Sequence, residues 1–237
     1  SPYQLMIIDP DVSTAGEADS LSRRGALPVA YVNIGEAESY RWFFNDILPE
    51  WRLGANPNWP GHFYIDVTQR GWQRLLIERV LPAVFEKGFT GVFLDMIDVA
   101  SPALYPRLRP GVLAIIREIR TAYPDKILLI NNGTFLAGDA SDLIDGIVVE
   151  STFTTYDFAS KAYVPVKKED SDARCAELDS LKAAYGIRFF AIDYAAPGDS
   201  AAALYARREA RRHGLLSFVS TIELNSLPAS SSHDRKE

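Results

Sequence analysis

The carboxylates of this chain gather where its apolar runs stop. In residues 88–98, GFTGVFLDMID, the run Val92-Phe93-Leu94 ends in Asp95, with Asp98 three residues further on. A short apolar run bounded by glycine reads as a strand buried on both faces. An acid where such a strand emerges costs stability unless it has partners or a task, so Asp95 is read as catalytic. Other runs end in the same way: at Asp9, at Asn33 followed by Glu36 and Glu38, at Asp66, at Asn131-Asn132, at Glu150, at Asp193-Tyr194 and at Ser220-Thr221. A lone Asp after a strand is more often a turn former or helix cap than a catalyst, and Asp9 and Asp98 fit that description. A set of acids converging from six of eight runs does not.

A site rich in carboxylates and aromatics and poor in histidine suits glycoside hydrolysis. One protonated carboxyl donates to the leaving oxygen while a second attacks the anomeric carbon or activates water. The two need opposite protonation states, which burial and neighbouring charge can impose. Aromatic faces supply platforms for sugar rings; Trp72 is read as core, while Trp42, Trp51 and Trp59 divide evenly between packing and binding. Zinc chemistry would want several histidine ligands, and His62, His213 and His233 stand at a strand start, a helix end and the tail. A serine nucleophile would want a histidine base, and no Gly-x-Ser-x-Gly occurs. No motif supports a carboxylate-bound Mg2+ or Ca2+. The expectation is a site with no metal and no cofactor.

The elements that must position these residues alternate. Eight apolar runs, 3–9, 27–33, 62–67, 91–95, 126–131, 145–150, 188–194 and 215–221, are mostly separated by stretches that can hold a helix. Thr14 is expected to cap a helix to Arg24. Thr68 should cap another to about Lys87, which Pro82 should kink or divide. Amphipathic spacing follows Pro110, Gly186 should end a helix over 168–185, and Asp199 or Ser200 should cap one over 201–213. Strand–helix alternation with no second compositional regime predicts a single (β/α)8 barrel over residues 1–228, with a polar, disordered tail at 229–237. A doubly wound open sheet is the alternative, but no Gly-rich phosphate loop follows the first strand. The irregular aromatic connection 40–61 is longer than most loops, which makes it functional or locally structured. The last helix has little chain left to build it.

In a barrel, strand C-termini face the active-site mouth. Alternation puts Phe93 with Asp95, Val148 with Glu150 and Ala191 with Asp193 on shared sides. These residues alone do not rank Glu150 above Asp66 or Asp193 as partner to Asp95.

Composition narrows the class. The 237 residues, 47% hydrophobic and 24% charged, suit one large globular domain. A net charge of −6 argues against nucleic-acid binding and is compatible with a neutral or cationic partner. Cys175 alone allows no internal disulfide, and no apolar run is long enough for a membrane helix. A monomer is expected.

Three motifs, Tyr31-Val-Asn-Ile-Gly-Glu-Ala-Glu38, Asn58-Trp-Pro-Gly61 and Gly91-Val-Phe-Leu-Asp-Met-Ile-Asp98, together resemble glycoside hydrolase family 114, the endo-α-1,4-polygalactosaminidases and related barrels. The resemblance covers nearly the whole chain and is most specific in its first hundred residues. It implies a (β/α)8 fold and endo-cleavage of α-1,4-linked galactosamine or N-acetylgalactosamine polymers. The family's catalytic Asp falls on Asp95 and its catalytic Glu on Glu150. The remaining acids and their neighbours, Asp9, Asn33, Glu36, Glu38, Tyr40, Asp66, Asp98, Asn131, Asp193 and Tyr194, become substrate-binding candidates, with Glu36, Glu38, Asp66 and Asp193 lining the cleft. An acidic cleft would favour a polymer carrying free amino groups. The substrate class implies an extracellular or periplasmic setting. Hydrolysis of another polysaccharide, and a non-catalytic carbohydrate-binding barrel, are the alternatives.

Overall fold

The computed structural model describes residues 4–14 and 16–225. Seven strands form one sheet, ordered β1 (Leu5–Ile8), β2 (Leu27–Asn33), β6 (Gly91–Asp95), β7 (Ile127–Asn131), β8 (Gly146–Glu150), β11 (Phe189–Tyr194) and β12 (Leu216–Ser220). Two small antiparallel sheets accompany it. β3 (Glu36–Glu38), β5 (His62–Ile65) and β4 (Arg52–Ala55) form one; β9 (Thr154–Asp157) and β10 (Ala162–Pro165) form the other. The pairs β1–β2, β2–β6, β6–β7 and β11–β12 are parallel, as barrel strands must be. The chain divides into two compact units, one up to Ile147 and the other from Val148.

In the first unit, β2 and β6 are buried almost throughout because helices cover parallel strands on their faces. Helix α1 (Glu17–Arg23) starts at Gly16 rather than by a Thr14 cap; the Thr14 amide instead donates to Glu17 Oε2 at 2.7 Å. The predicted helix exists, but Gln69 rather than Thr68 stands at its N-cap and it runs in three parts, α2 (Arg70–Leu75), a π-helical turn over Leu76–Val80 and α3 (Leu81–Glu86). Pro82 has no amide to give, and the wider π turn absorbs the missing bond without ending the helix. Helix α4 (Arg109–Ala122) buries Val112, Leu113, Ile115, Ile116 and Ile119 on one face, and short α5 (Ala137–Ala140) follows β7.

One predicted strand is misplaced. The run 62–67 does not join the parallel sheet: β2 pairs directly with β6 in the register Asn33↔Asp95, and β5 is instead the centre of the antiparallel β3–β5–β4 sheet. Asn56 and Trp59–His62 backbone bonds fold the long aromatic connection onto that sheet, so it is locally structured.

In the second unit, α6 (Lys168–Tyr185) ends at Gly186 with φ 68°, a left-handed cap that glycine adopts without strain. Helix α7 (Ser200–Arg212) is capped by Asp199, whose side chain accepts from the Ala202 amide at 2.9 Å. The β9–β10 hairpin was not anticipated from sequence. Cys175 is buried against Phe153, Ala206, Ala210 and Val219. The expected tail 229–237 and the expected last helix lie outside the described residues. No described helix is long and apolar enough to cross a membrane.

Candidate active site

Asp95 closes β6 half-buried, with three donors on its carboxylate. Tyr31 Oη donates to Oδ2 at 2.6 Å, while Asn131 Nδ2 and the Met96 amide donate to Oδ1 at 2.8 and 2.7 Å. Tyr31 and Asn131 come from β2 and β7, the two strands that flank β6, so the sheet itself delivers these donors. A carboxylate so held is acceptor-only and fixed in orientation.

The backbone beside it is strained. Met96 has φ 57°, a left-handed conformation uncommon for a large side chain. Its carbonyl oxygen would stand 2.2 Å from a Cβ at Gly35, so only glycine lets the two loops close on each other. Asn33 builds the Gly35 turn: its Oδ1 accepts from the amides of Gly35 and Glu36 at 3.2 and 2.8 Å. Asn132 and Ser151, directly after Asn131 and Glu150, are also left-handed, at φ 51° and 57°.

In the second unit, Glu150 closes β8 half-buried, and Tyr194 Oη donates to its Oε2 at 2.6 Å. Both carboxylates thus receive a tyrosyl hydroxyl from a neighbouring strand of the sheet.

Several expected cleft residues are built into the interior instead. Asp193 is fully buried, and its Oδ1 accepts from the amides of Phe153 and Thr154 at 2.7 and 2.9 Å. It ties the loop after β8 to β11; burial raises its pKa, and these amide bonds offset part of that rise. Glu36 is buried between Asn56 Nδ2, at 2.6 Å, and His62 Nδ1, at 3.1 Å. The hydrogen bond to Glu36 raises the His62 pKa against the pull of burial. Glu38 is buried and held by Arg41 Nε and by Tyr40 Oη at 2.9 Å. Asp66 forms a turn, accepting from the Thr68 amide and hydroxyl at 3.1 and 2.5 Å, with Arg107 at 3.4 Å. Burial raises its pKa less than the Thr68 bonds and Arg107 lower it. Asp9 turns the chain through the Asp11 amide and pairs with Arg41 at 2.7 Å. None of Glu36, Glu38 and Asp193 can be an open acidic lining; each is an interior group with its own partner.

The candidates brought to Asp95 or its partners are Asn33, Glu38, Tyr40 and Asn131, and Tyr194 meets Glu150. Asp98 also stays close to Asp95. Burial first, then the charge of Asp95, with a smaller contribution from Glu36, push its carboxyl up to about 6 although its own amide pulls it down. Tyr40 is well exposed, as are Trp42 and Trp59. Trp72 is core, donating to the Ile34 carbonyl at 2.9 Å, and Trp51 packs closely against Gly71, where a Cβ would meet its ring. Sequence reasoning missed Tyr31, Arg41 and Asn56, and weighed His62 only as a metal ligand. Tyr31 was legible by alternation, two residues before Asn33 on one strand.

A cavity of about 300 Å³ opens at the other ends of β11 and β12, around Arg188, Phe189 and Leu216. It is remote from the strand C-termini and has no share in this chemistry. Among the described residues, no group of three or more His, Cys, Asp and Glu side chains is arranged to hold a metal ion.

An α/β barrel with oriented carboxylates at its strand ends is compatible with a carbohydrate-cleaving hydrolase. The profile of glycoside-hydrolase family GH114 matches residues 2–234, and the chain belongs to that family and is a glycoside hydrolase. Proteins of Thermotoga maritima and Deinococcus radiodurans are 25% and 27% identical to it, over 94% and 96% of this chain and 76% of each relative. Its fold is that of the glycoside hydrolase domain of PelA from Pseudomonas aeruginosa, with a TM-score of 0.84 at 22% identity, over 96% of this chain and 90% of that one. Aspergillus fumigatus Ega3, solved in complex with galactosamine, superposes with a TM-score of 0.74 at 15% identity, over 94% and 86%.

Proposed function

We propose that this glycoside hydrolase cleaves α-1,4-linked galactosamine or N-acetylgalactosamine polymers internally, with Asp95 and Glu150 as its carboxylate pair. The carrying observation is that the two family positions each close a sheet strand with a tyrosyl hydroxyl on the carboxylate. Support for the amino sugar comes from the family and from the likeness to the galactosamine-bound Ega3 fold. It does not come from Glu36, Glu38 or Asp193, whose charges are buried or paired.

In this reading Glu150 protonates the glycosidic oxygen as the bond to the anomeric carbon breaks. Asp95 either attacks that carbon or takes a proton from the attacking water; Glu150 then acts as base where a covalent intermediate forms. Tyr31, Asn131 and the Met96 amide keep the Asp95 carboxylate aimed. Asp98, Tyr40 and the exposed Trp42 and Trp59 are proposed to meet the polymer, and the proposed substrate class supports an extracellular or periplasmic setting. The test is an assay of Asp95→Asn and Glu150→Gln on partly deacetylated galactosaminan, with glucosamine polymers alongside. Turnover is expected to fall by about 10³-fold or more in both variants; wild-type turnover in either removes that residue from the mechanism. Equal or faster cleavage of a glucosamine polymer reassigns the substrate.

A further inference from the structure

Asp95 does not stand alone in its donor network. Tyr31 Oη lies between two carboxylates, 2.6 Å from Asp95 Oδ2 and 3.3 Å from Glu38 Oε1, and it has one proton to give. Asn33 Nδ2, at 3.4 Å, faces the hydroxyl oxygen as a donor, so it takes none of that proton. Which acid receives it depends on how well Glu38 is otherwise supplied. Glu38 is buried and takes Arg41 Nε on Oε2 and Tyr40 Oη on Oε1. Arg41 is itself nearly inaccessible and is pinned from the far side by Asp9 and Asp11, at 2.7 and 3.0 Å. Its guanidinium also lies 5.6 Å from the Tyr31 ring centre.

We propose that Arg41 and Glu38 are positioning residues for the hydrolytic reaction, an ion pair that keeps the Tyr31 proton directed to Asp95. With Arg41 in place, Glu38 is satisfied by its own donors, so the tyrosyl proton goes to the nearer carboxylate. Without Arg41, a buried unpaired carboxylate would compete for that proton and set a second negative charge beside Asp95. Burial, then the charges of Asp95 and Glu38, hold the Tyr31 hydroxyl well above its ordinary pKa, so it stays a donor across the working range. The other charged or titratable groups around this cluster are Asp98 beside Asp95, Glu36 acting on Asp98, and Tyr40 and His62 beside Glu38. All remain in the variants below.

The inference rests on Asp95 being the nucleophile or base. Its test is the acid limb of the kcat–pH profile, where that group loses its ionised form, in variants shown to be folded by thermal unfolding. Arg41→Met should move the limb up by about one pH unit, and Glu38→Gln should move it down, since one removes a positive and the other a negative neighbour. KM should change little in both. A merely structural pair would lower Tm without shifts of opposite sign. Limbs that stay put, or move the same way, overturn the proposal. Should Arg41→Met not fold, Tyr31→Phe carries the upward arm, because it strips the hydroxyl from Asp95 while Glu38 stays clamped; no rise there overturns the proposal equally. An inactive Asp95→Asn with unmoved limbs refutes the coupling alone, whereas an active Asp95→Asn refutes the catalytic assignment beneath it.

Discussion

Gly35→Ala is the smallest perturbation that should reach the proposed catalytic carboxylate, Asp95, through backbone alone. The added methyl would stand 2.2 Å from the Met96 carbonyl oxygen and 2.9 Å from both Met96 Cβ and Val99 Cγ1. Ordinary contact begins at 3.4 Å, so the Gly35 turn and the Met96 turn must separate by roughly 1 Å, and a close-packed interior does not absorb that elsewhere. Neither side yields easily. Gly35 is held by Asn33 Oδ1, Ile34 by its amide bond to the Asp95 carbonyl at 3.2 Å, and Met96 by its amide bond to Asp95 Oδ1. Overpacking of this kind costs about 1–3 kcal/mol of stability. The displacement of Asp95 is the larger consequence, because about 1 Å of misplacement at a reacting group costs on the order of 10²-fold in rate. The assay compares kcat on the galactosamine polymer with unfolding free energy in urea. A folded Gly35→Ala enzyme with wild-type kcat would show that the Met96 turn does not position Asp95.

Two further perturbations separate chemistry from architecture. Burial and Asp95 raise the Asp98 carboxyl from 3.8 to about 6, so the folded state binds that proton more tightly than the unfolded chain. The associated stability is present below about pH 4 and lost as pH rises through about 6. Asp98→Asn should therefore gain on the wild type as pH rises between those values by about 3 kcal/mol, and a pH-independent difference in urea midpoints would refute it. Asp193→Ala leaves the buried Phe153 and Thr154 amides without their acceptor. It should cost about 2–4 kcal/mol with the kcat of the folded fraction nearly intact, whereas loss of kcat at full stability would return Asp193 to the cleft.

Apolar runs and helix signals were legible because each depends on neighbours in sequence. Gly186 and Asp199 end and cap their helices by local geometry alone, and both were readable. The run 62–67 has strand composition, and composition cannot say which sheet a strand joins. Its neighbours β3 and β4 lie in the same connection, and pairing with them takes β5 out of the parallel sheet. The same limit governs the acids. Asp95, Glu150, Asn131 and Tyr194 do stand at strand ends, and the side-chain contacts they make to one another and to Tyr31 come from adjacent strands. Whether an acid faces a cleft or an interior partner depends on residues distant in sequence. Asn56, twenty positions from Glu36, and the Phe153 amide, forty from Asp193, leave no mark beside the acids they satisfy. Arg41 is the exception, three positions from Glu38 and readable as its partner.

The left-handed residues explain why these strands end as they do. Met96, Asn132 and Ser151 each follow at once on Asp95, Asn131 and Glu150. A continuing strand would carry the next side chain to the opposite face and prolong the ladder; a left-handed step instead turns the chain away at the functional residue. Each such step costs on the order of 1 kcal/mol for a residue other than glycine, and asparagine tolerates it better than methionine or serine. At Met96 the cost is offset by its amide bond to Asp95, and at Ser151 by its amide bond to the Ile192 carbonyl at 2.9 Å. Glycine would relieve the strain at either position, but it would also free the turn that fixes where the carboxylate leaves the strand. A rigid non-glycine residue in a strained turn makes sense where a side chain must stay aimed, and that is the demand the proposed mechanism places on Asp95 and Glu150.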